Sequence, residues 1–317
     1  MSYVFVAAGL VLLIVGGEFL VRSSVALADR LGLSPLLIGL VVVGLGTSAP
    51  ELAVSVEAAI TGAPGIAVGN VIGSSIANIL LVFAIAVLIL PMTSWPVMVK
   101  LDATVMLLAS IILLGVAQLG SMNKLIGIGF VIAITAYITT TYFYEKNIKK
   151  KRDGTLHEQA ADEFQDIQFT LPIAIIVAIG SIGILIGGAH LLINGATDIA
   201  RSFGVSEAII GLTLVAIGTS LPELATAIVA AVRRHHDVIL GNIIGSNIFN
   251  IFCVLGVTAS ITEVSIEQRF RLIDAPILTV TCLALLAILW RERPIGRPVG
   301  LFFILCYGAY TYYLYTT

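Results

Sequence analysis

The chain has 317 residues, 58% hydrophobic and only 11% charged, with a formal net charge of −2 and a mean hydropathy of +1.06. Soluble globular domains carry about 25% charged residues. This composition therefore excludes a soluble enzyme or binding module and describes a chain that crosses a lipid bilayer many times.

Apolar windows of about 20 residues mark spanning helices. Ten are read along the chain: 3–21, 35–60, 66–90, 101–118, 123–143, 170–194, 207–232, 237–259, 273–290 and 298–315. The first has no basic stretch before it and continues into Phe19-Leu20-Val21, which fits a membrane helix rather than a cleaved signal peptide. Gly and Pro interrupt the second and the seventh. One long hydrophilic stretch, Glu145 to Gln168, follows the fifth; it holds Lys146, Lys149, Lys150, Lys151 and Arg152, then an acidic run. The expected fold is an all-α membrane protein of ten transmembrane helices. Residues 1–144 form one five-helix repeat, 145–168 a linker, and 169–317 a second five-helix repeat. Five is odd, so the second unit must cross the membrane upside down relative to the first, an inverted repeat.

Lys and Arg placement sets the orientation, because cytoplasmic loops collect them. With the N-terminus outside, the inner loops hold Arg22, Arg30, Lys100, the linker cluster, Arg233, Arg234, Arg291, Arg293 and Arg297. The outer loops hold only Lys124, Arg201, Arg269 and Arg271. The expectation is an inner (plasma) membrane protein with both termini extracytoplasmic and a cytoplasmic linker. The three cysteines, Cys253, Cys282 and Cys306, lie in apolar runs without metal-ligand spacing and are read as buried small hydrophobes.

The second and third windows carry Gly46-Thr47-Ser48-Ala49-Pro50-Glu51-Leu52 and then Gly69-Asn70-Val71-Ile72-Gly73-Ser74-Ser75-Ile76-Ala77-Asn78. The seventh and eighth repeat the pattern as Gly218-Thr219-Ser220-Leu221-Pro222-Glu223-Leu224 and Gly241-Asn242-Ile243-Ile244-Gly245-Ser246-Asn247-Ile248-Phe249-Asn250. One constant offset relates Glu51 to Glu223, Ser74 to Ser246 and Asn78 to Asn250. A charge inside the bilayer costs about 2.5–3.5 kcal/mol on insertion scales, so an intramembrane carboxylate marks a candidate functional site. Pro50 and Pro222 lack an N–H and crowd the carbonyl four residues back, freeing backbone oxygens that are tolerated only where they line protein or a watery cavity. Thr47 and Ser48 lie four and three residues before Glu51, on its helix face; Ser74 and Asn78 are likewise i, i+4. With Thr219, Ser220, Glu223, Ser246 and Asn250, the result is a set of hard oxygens carrying two formal negative charges, suited to Na⁺ or Ca²⁺ rather than to zinc or copper. Gly69-Asn70 and Gly241-Asn242, read as the starts of the third and eighth helices, are assigned to capping or helix contact as readily as to ion contact. Glu18 and His190 are read as packed polar contacts, and Glu57 as a solvated carboxylate near the outer end of its helix.

At these residues the chain resembles the sodium/calcium exchanger family, within the cation/calcium exchanger superfamily, and its short linker looks like prokaryotic members. Segments 39–79 and 211–251 look like the family's two alpha-repeats. The resemblance implies ion ligation by Thr47, Ser48, Glu51, Ser74, Thr219, Ser220, Glu223 and Ser246, and by the backbone carbonyls of Gly44 and Ala216. It also implies a central Ca²⁺ flanked by Na⁺ sites, with three Na⁺ exchanged per Ca²⁺. Potassium-dependent relatives place an aspartate at the position of Asn250; here both Asn78 and Asn250 are amides, which argues for exchange without K⁺. The expected activity is Na⁺/Ca²⁺ antiport by alternating access, with Ca²⁺/H⁺ antiport as the alternative. An enzyme is not expected: the chain has no His-Glu-x-x-His motif. The expected partners are Ca²⁺ and Na⁺ as substrates and the lipid bilayer, with no cofactor and no nucleic acid, and a monomer is expected.

Overall fold

The computed structural model describes residues 1–151, 169–203 and 218–316. In chain order the helices are α1 Ser2–Leu31, α2 Pro35–Thr47 and α3 Ala49–Ile60, α4 Pro64–Ile89, α5 Val97–Ala117 and α6 Lys124–Lys151. They continue as α7 Leu171–Ser202, α8 Leu221–Val232, α9 His236–Ile261 and α10 Phe270–Trp290, and α11 Arg297–Thr316. Two short strands, β1 Ser121–Met122 and β2 Val264–Ser265, pair antiparallel. Among the described residues seven helices are long and apolar enough to cross a membrane: α1, α4, α5, α6, α7, α9 and α10. The bent pair α2–α3 makes eight if counted as one span. In the seventh expected window the structure describes α8, while 207–217 lie outside the described residues.

The helix boundaries differ from the apolar windows for physical reasons. α1 runs about ten residues past its window because nothing in Arg22 to Leu31 breaks a helix. It stops at Gly32, whose left-handed backbone (φ 65°) returns its N–H to the carbonyls of Ala28 and Asp29. α4 starts at Pro64, not Gly69, since proline is pre-organised for a first helical position. Gly69-Asn70 and Gly241-Asn242 therefore lie inside helices.

α9 is almost wholly enclosed by other helices and α4 largely so, whereas α1 and α7 show most of their surface to the surroundings. α2 lies against α9 at backbone distance. A Cβ built on Gly245 would stand 2.8 Å from the Leu40 Cα. α1 and α7 pair along their length in the same way, with Gly9 and Gly188 at the crossing; small residues give membrane helices this close approach.

The connections join the two halves. β1 follows α5 and β2 follows α9. A second bridge links Met92, after α4, to Ile295, after α10, through N–H···O bonds of 3.0 and 2.7 Å. Lys100 pairs with Glu292. Ser34, at the start of α2, donates its N–H (3.0 Å) and its hydroxyl to the Glu145 carboxylate near the end of α6.

Candidate cation site

Each motif proline lies in the first turn of a helix. α2 ends at Thr47, Ser48 adopts φ −83° and ψ 4°, and α3 follows with Pro50 in its first turn, at an angle of 41° to α2. Ser220 has the same backbone, φ −84° and ψ 4°, ahead of Pro222 in α8. The missing proline N–H thus falls where a helix has unpaired N–H groups anyway. Glu51 and Glu223 each sit in a first turn, where the positive end of the helix dipole favours a carboxylate.

Both glutamates are 0% exposed. Thr47, Ser48, Ser74, Asn78, Ser220, Ser246 and Asn250 are buried with them, and Thr219 is half-buried. The carboxylates interact electrostatically across the halves. Ser48 Oγ donates to Glu223 Oε1 at 3.4 Å, and the Thr47 and Ser246 hydroxyls stand beside the same carboxylate. Thr219 stands beside Glu51 but gives its hydrogen to Asn70 Oδ1 at 3.3 Å. Asn250 Nδ2 donates to Ser74 Oγ at 2.9 Å, and Thr47 Oγ1 lies 3.3 Å from Ser246 Oγ. The Gly44 carbonyl accepts the Ser48 N–H (3.1 Å) and faces Thr47 Oγ1 (3.4 Å). Ala216 lies outside the described residues. The structure thus gathers residues from both motifs into one buried polar centre between α2–α3, α4, α8 and α9.

Several of these atoms are buried without a hydrogen-bond partner among the described residues: both Glu51 oxygens, Glu223 Oε2, Ser220 Oγ, Asn250 Oδ1, and both Oδ1 and Nδ2 of Asn78. Buried polar atoms are ordinarily paired, and a lone buried carboxylate is expensive. All but Nδ2 are oxygens, and three belong to the two carboxylates, so the complement this chemistry lacks is a hard cation. Among the described residues no group of three His, Cys, Asp or Glu side chains converges. The candidate centre relies on hydroxyls and amides around two charges.

Two features escape a linear reading. Asn78 opens a π-helical turn, Asn78–Phe83, and Asn250 lies in another, Phe249–Val254. Such turns recur at functional sites because they unpair backbone groups. Asn70 and Asn242 also reach the centre from inside their helices: Asn70 Nδ2 donates to the Glu51 carbonyl at 3.1 Å, and Asn242 Nδ2 to the Glu223 carbonyl at 3.5 Å. The repeat of Gly-Asn at one offset was the available signal. Of the other singled-out ionisable residues, Glu18 pairs with Arg22 and with Arg233 at the end of α8. His190 is exposed. Glu57 is exposed in an apolar groove of about 550 Å³ along α3, which Val257 and Ile261 of α9 close. Asp102 and Asp274 are buried, taking hydroxyl bonds from Tyr137 (2.7 Å) and Tyr310 (2.9 Å).

The sodium/calcium exchanger protein model matches residues 1–143 and 173–316. The chain belongs to the sodium/calcium exchanger family. Relatives within reach of it include the putative antiporter CaxA of Alkalimonas amylolytica, 35% identical over 99% of this chain and 98% of that one. Another is the sodium/calcium exchanger MaX1 of Methanosarcina acetivorans, 30% identical over 99% and 98%. A solved structure of the sodium-calcium exchanger NCX_Mj, soaked with zero Na⁺ and Ca²⁺, aligns with a TM-score of 0.82 at 29% identity over 99% of this chain and 98% of that one. As a member of this exchanger family the protein is a multi-pass membrane antiporter of the prokaryotic kind, not an enzyme.

Proposed function

We propose that the protein exchanges Na⁺ for Ca²⁺ at one central site by alternating access, without K⁺. The observation that carries the reading is the pair of fully buried glutamates, one from each motif, with unpaired oxygens and with Ser48 of one motif bonded to Glu223 of the other. Two carboxylates place about −2 in a poorly solvated centre. One Ca²⁺ neutralises them, and so do two Na⁺, so a loaded carrier crosses without a large electrostatic penalty. The proposed ligands are Glu51, Glu223, Thr47, Ser48, Ser74, Thr219, Ser220 and Ser246, the carbonyls of Gly44 and Ala216, and the amides Asn78 and Asn250. The amides at both of the last two positions support independence from K⁺, because neither adds a charge to hold a further monovalent ion.

In this reading the chain is built from ten spans as two inverted five-helix repeats, 1–144 and 169–317, with a cytoplasmic linker at 145–168 and both termini outside. The matching Ser48 and Ser220 backbones support the repeat, and inverted repeats supply two interconvertible halves around a fixed midplane site. The orientation follows the Lys and Arg distribution, and the membrane proposed is the inner or plasma membrane.

The test is radiolabelled Ca²⁺ uptake into proteoliposomes holding the purified protein, with Na⁺, K⁺ or H⁺ gradients imposed singly. An outward Na⁺ gradient is expected to drive uptake with no K⁺ present. Uptake driven by a proton gradient alone would replace this reading with Ca²⁺/H⁺ antiport.

A further inference from the structure

We propose that Asn70 and Asn242 are positioning residues that turn the hydroxyls of the site threonines into cation acceptors, each amide serving the threonine of the opposite half. The proposal rests on the exchange reading above and deepens it.

The argument starts from backbone carbonyls, which can only accept. The Glu223 carbonyl faces the Asn242 amide (3.5 Å) and the Glu51 carbonyl faces the Asn70 amide (3.1 Å). Each amide must therefore present its NH₂ to that carbonyl; turned over, two oxygens would oppose one another. In that orientation Asn70 Nδ2 also donates to Ser55 Oγ at 3.0 Å. With the nitrogens committed, the amide oxygens point the other way. Asn242 Oδ1 takes the Thr47 hydroxyl at 3.2 Å and lies 3.4 Å from Ser246 Oγ; Asn70 Oδ1 takes the Thr219 hydroxyl at 3.3 Å. The pairing is crossed: each asparagine holds its own half's glutamate helix and the other half's threonine.

A threonine hydroxyl has one hydrogen and two lone pairs. A cation between the carboxylates needs the lone pairs, so the hydrogen must have an acceptor elsewhere. The asparagine oxygen is that acceptor. Without it the acceptors left to the Thr47 hydrogen are the Gly44 carbonyl at 3.4 Å, Ser246 Oγ at 3.3 Å and the Glu223 carboxylate beside it, all proposed cation ligands, so any of these bonds takes a lone pair that the cation needs. Asn242 and Thr47 are 0% and 1% exposed, so the amide is the acceptor the fold supplies there.

The test is a mutant cycle read as KM and kcat for Na⁺-driven Ca²⁺ uptake, using Asn242→Leu, Asn70→Leu, Thr47→Val and Thr219→Val in proteoliposomes. Each asparagine variant is expected to raise KM about tenfold, the worth of one buried hydrogen bond, while kcat falls much less. Adding Asn242→Leu to Thr47→Val should raise KM by clearly less than the product of the two single effects, and so should Asn70→Leu on Thr219→Val, the remainder coming from the amides' bonds to Ser246, Ser55 and the glutamate carbonyls. The same-half doubles, Asn70→Leu with Thr47→Val and Asn242→Leu with Thr219→Val, should multiply. Asn→Ala at both positions repeats the cycle if a leucine variant does not fold. Multiplicative effects in the crossed doubles, or unchanged KM in the single asparagine variants, would overturn the proposal while leaving exchange intact. Wild-type vesicles without Na⁺-driven uptake would remove the exchange reading, and this proposal with it.

Discussion

Glu51 and Glu223 are identical in type, burial and place in a helix, so the centre treats them as a pair. Glu51→Gln or Glu223→Gln keeps shape and removes half the formal charge facing a divalent ion. Each is expected to lower Ca²⁺ transport at least about a hundredfold, since electrostatic terms are strongest in a poorly solvated site; wild-type flux in both purified variants would refute a two-carboxylate site. The asparagines refine the picture. Asn250 spends its Nδ2 on Ser74 and leaves Oδ1 unpaired, which suits a neutral ligand. Asn250→Asp brings a third carboxyl near two others, and like charges at close range favour the protonated form of one of them. The variant is expected to show proton- or K⁺-sensitive exchange where the wild type shows none. An unchanged ion and pH profile would take Asn250 out of the centre. The sequence already exposed the glutamates, because charge in an apolar run is conspicuous and the repeat is gapless. It did not expose the work of Asn70 and Asn242. Their partners, Thr219 and Thr47, come from the other half of the chain, and only helix crossing brings them within reach.

Helices were legible as apolar windows, but where they break and how closely they cross were not. A proline inside an apolar run reads as an interruption, without saying where the next helix starts; here Ser48 ends α2 and Pro50 lies in the first turn of α3, and Ser220, with the same backbone, precedes Pro222 in the first turn of α8. The reason is local: the first helical turn is the one place where a missing N–H costs nothing. Crossing distance depends on glycines that a linear pattern does not rank. Gly245 meets the Leu40 backbone, whereas Gly129 on α6 faces no atom within 4 Å among the described residues. Gly245→Ala would push α2 away from α9 and separate Thr47 from Asn242 and Ser246. It is expected to cost about 1–3 kcal/mol of stability, the usual range for overpacking, and to weaken Ca²⁺ binding. Gly129→Ala should do neither. Thermal unfolding in detergent with and without Ca²⁺ reads both effects, and equal behaviour of the two variants would show that the close crossing is not what shapes the centre.

At the scale of the whole molecule, contacts between distant segments can be compared with the sides that Lys and Arg placement assigns. The start of α2 meets the end of α6 through Ser34 and Glu145; both are assigned inside. Glu18 and Arg22 meet Arg233, and Arg30 meets the Phe169 carbonyl at 3.1 Å, again at ends assigned inside. Met92 with Ile295 and Lys100 with Glu292 join two loops assigned inside. Gln118 with Arg271, Ser121 with Glu263, and β1 with β2 join loops assigned outside, and Ser2 meets Asp198 near the outer ends of α1 and α7. None of these pairs links an inner loop to an outer one. Two independent readings, side-chain contact in the fold and basic residues in the sequence, therefore agree on the relative sides of the connections they touch. They support a cytoplasmic linker and outward-facing termini. In a background lacking Cys253, Cys282 and Cys306, single cysteines placed at position 152 and after Thr317 are expected to react with an impermeant thiol reagent from opposite sides of the membrane, the C-terminal one in intact cells and the linker one only after permeabilisation. Labelling of both from the same side would mean an even number of crossings between them, which an odd five-helix second unit forbids, and the inverted arrangement would fall with it.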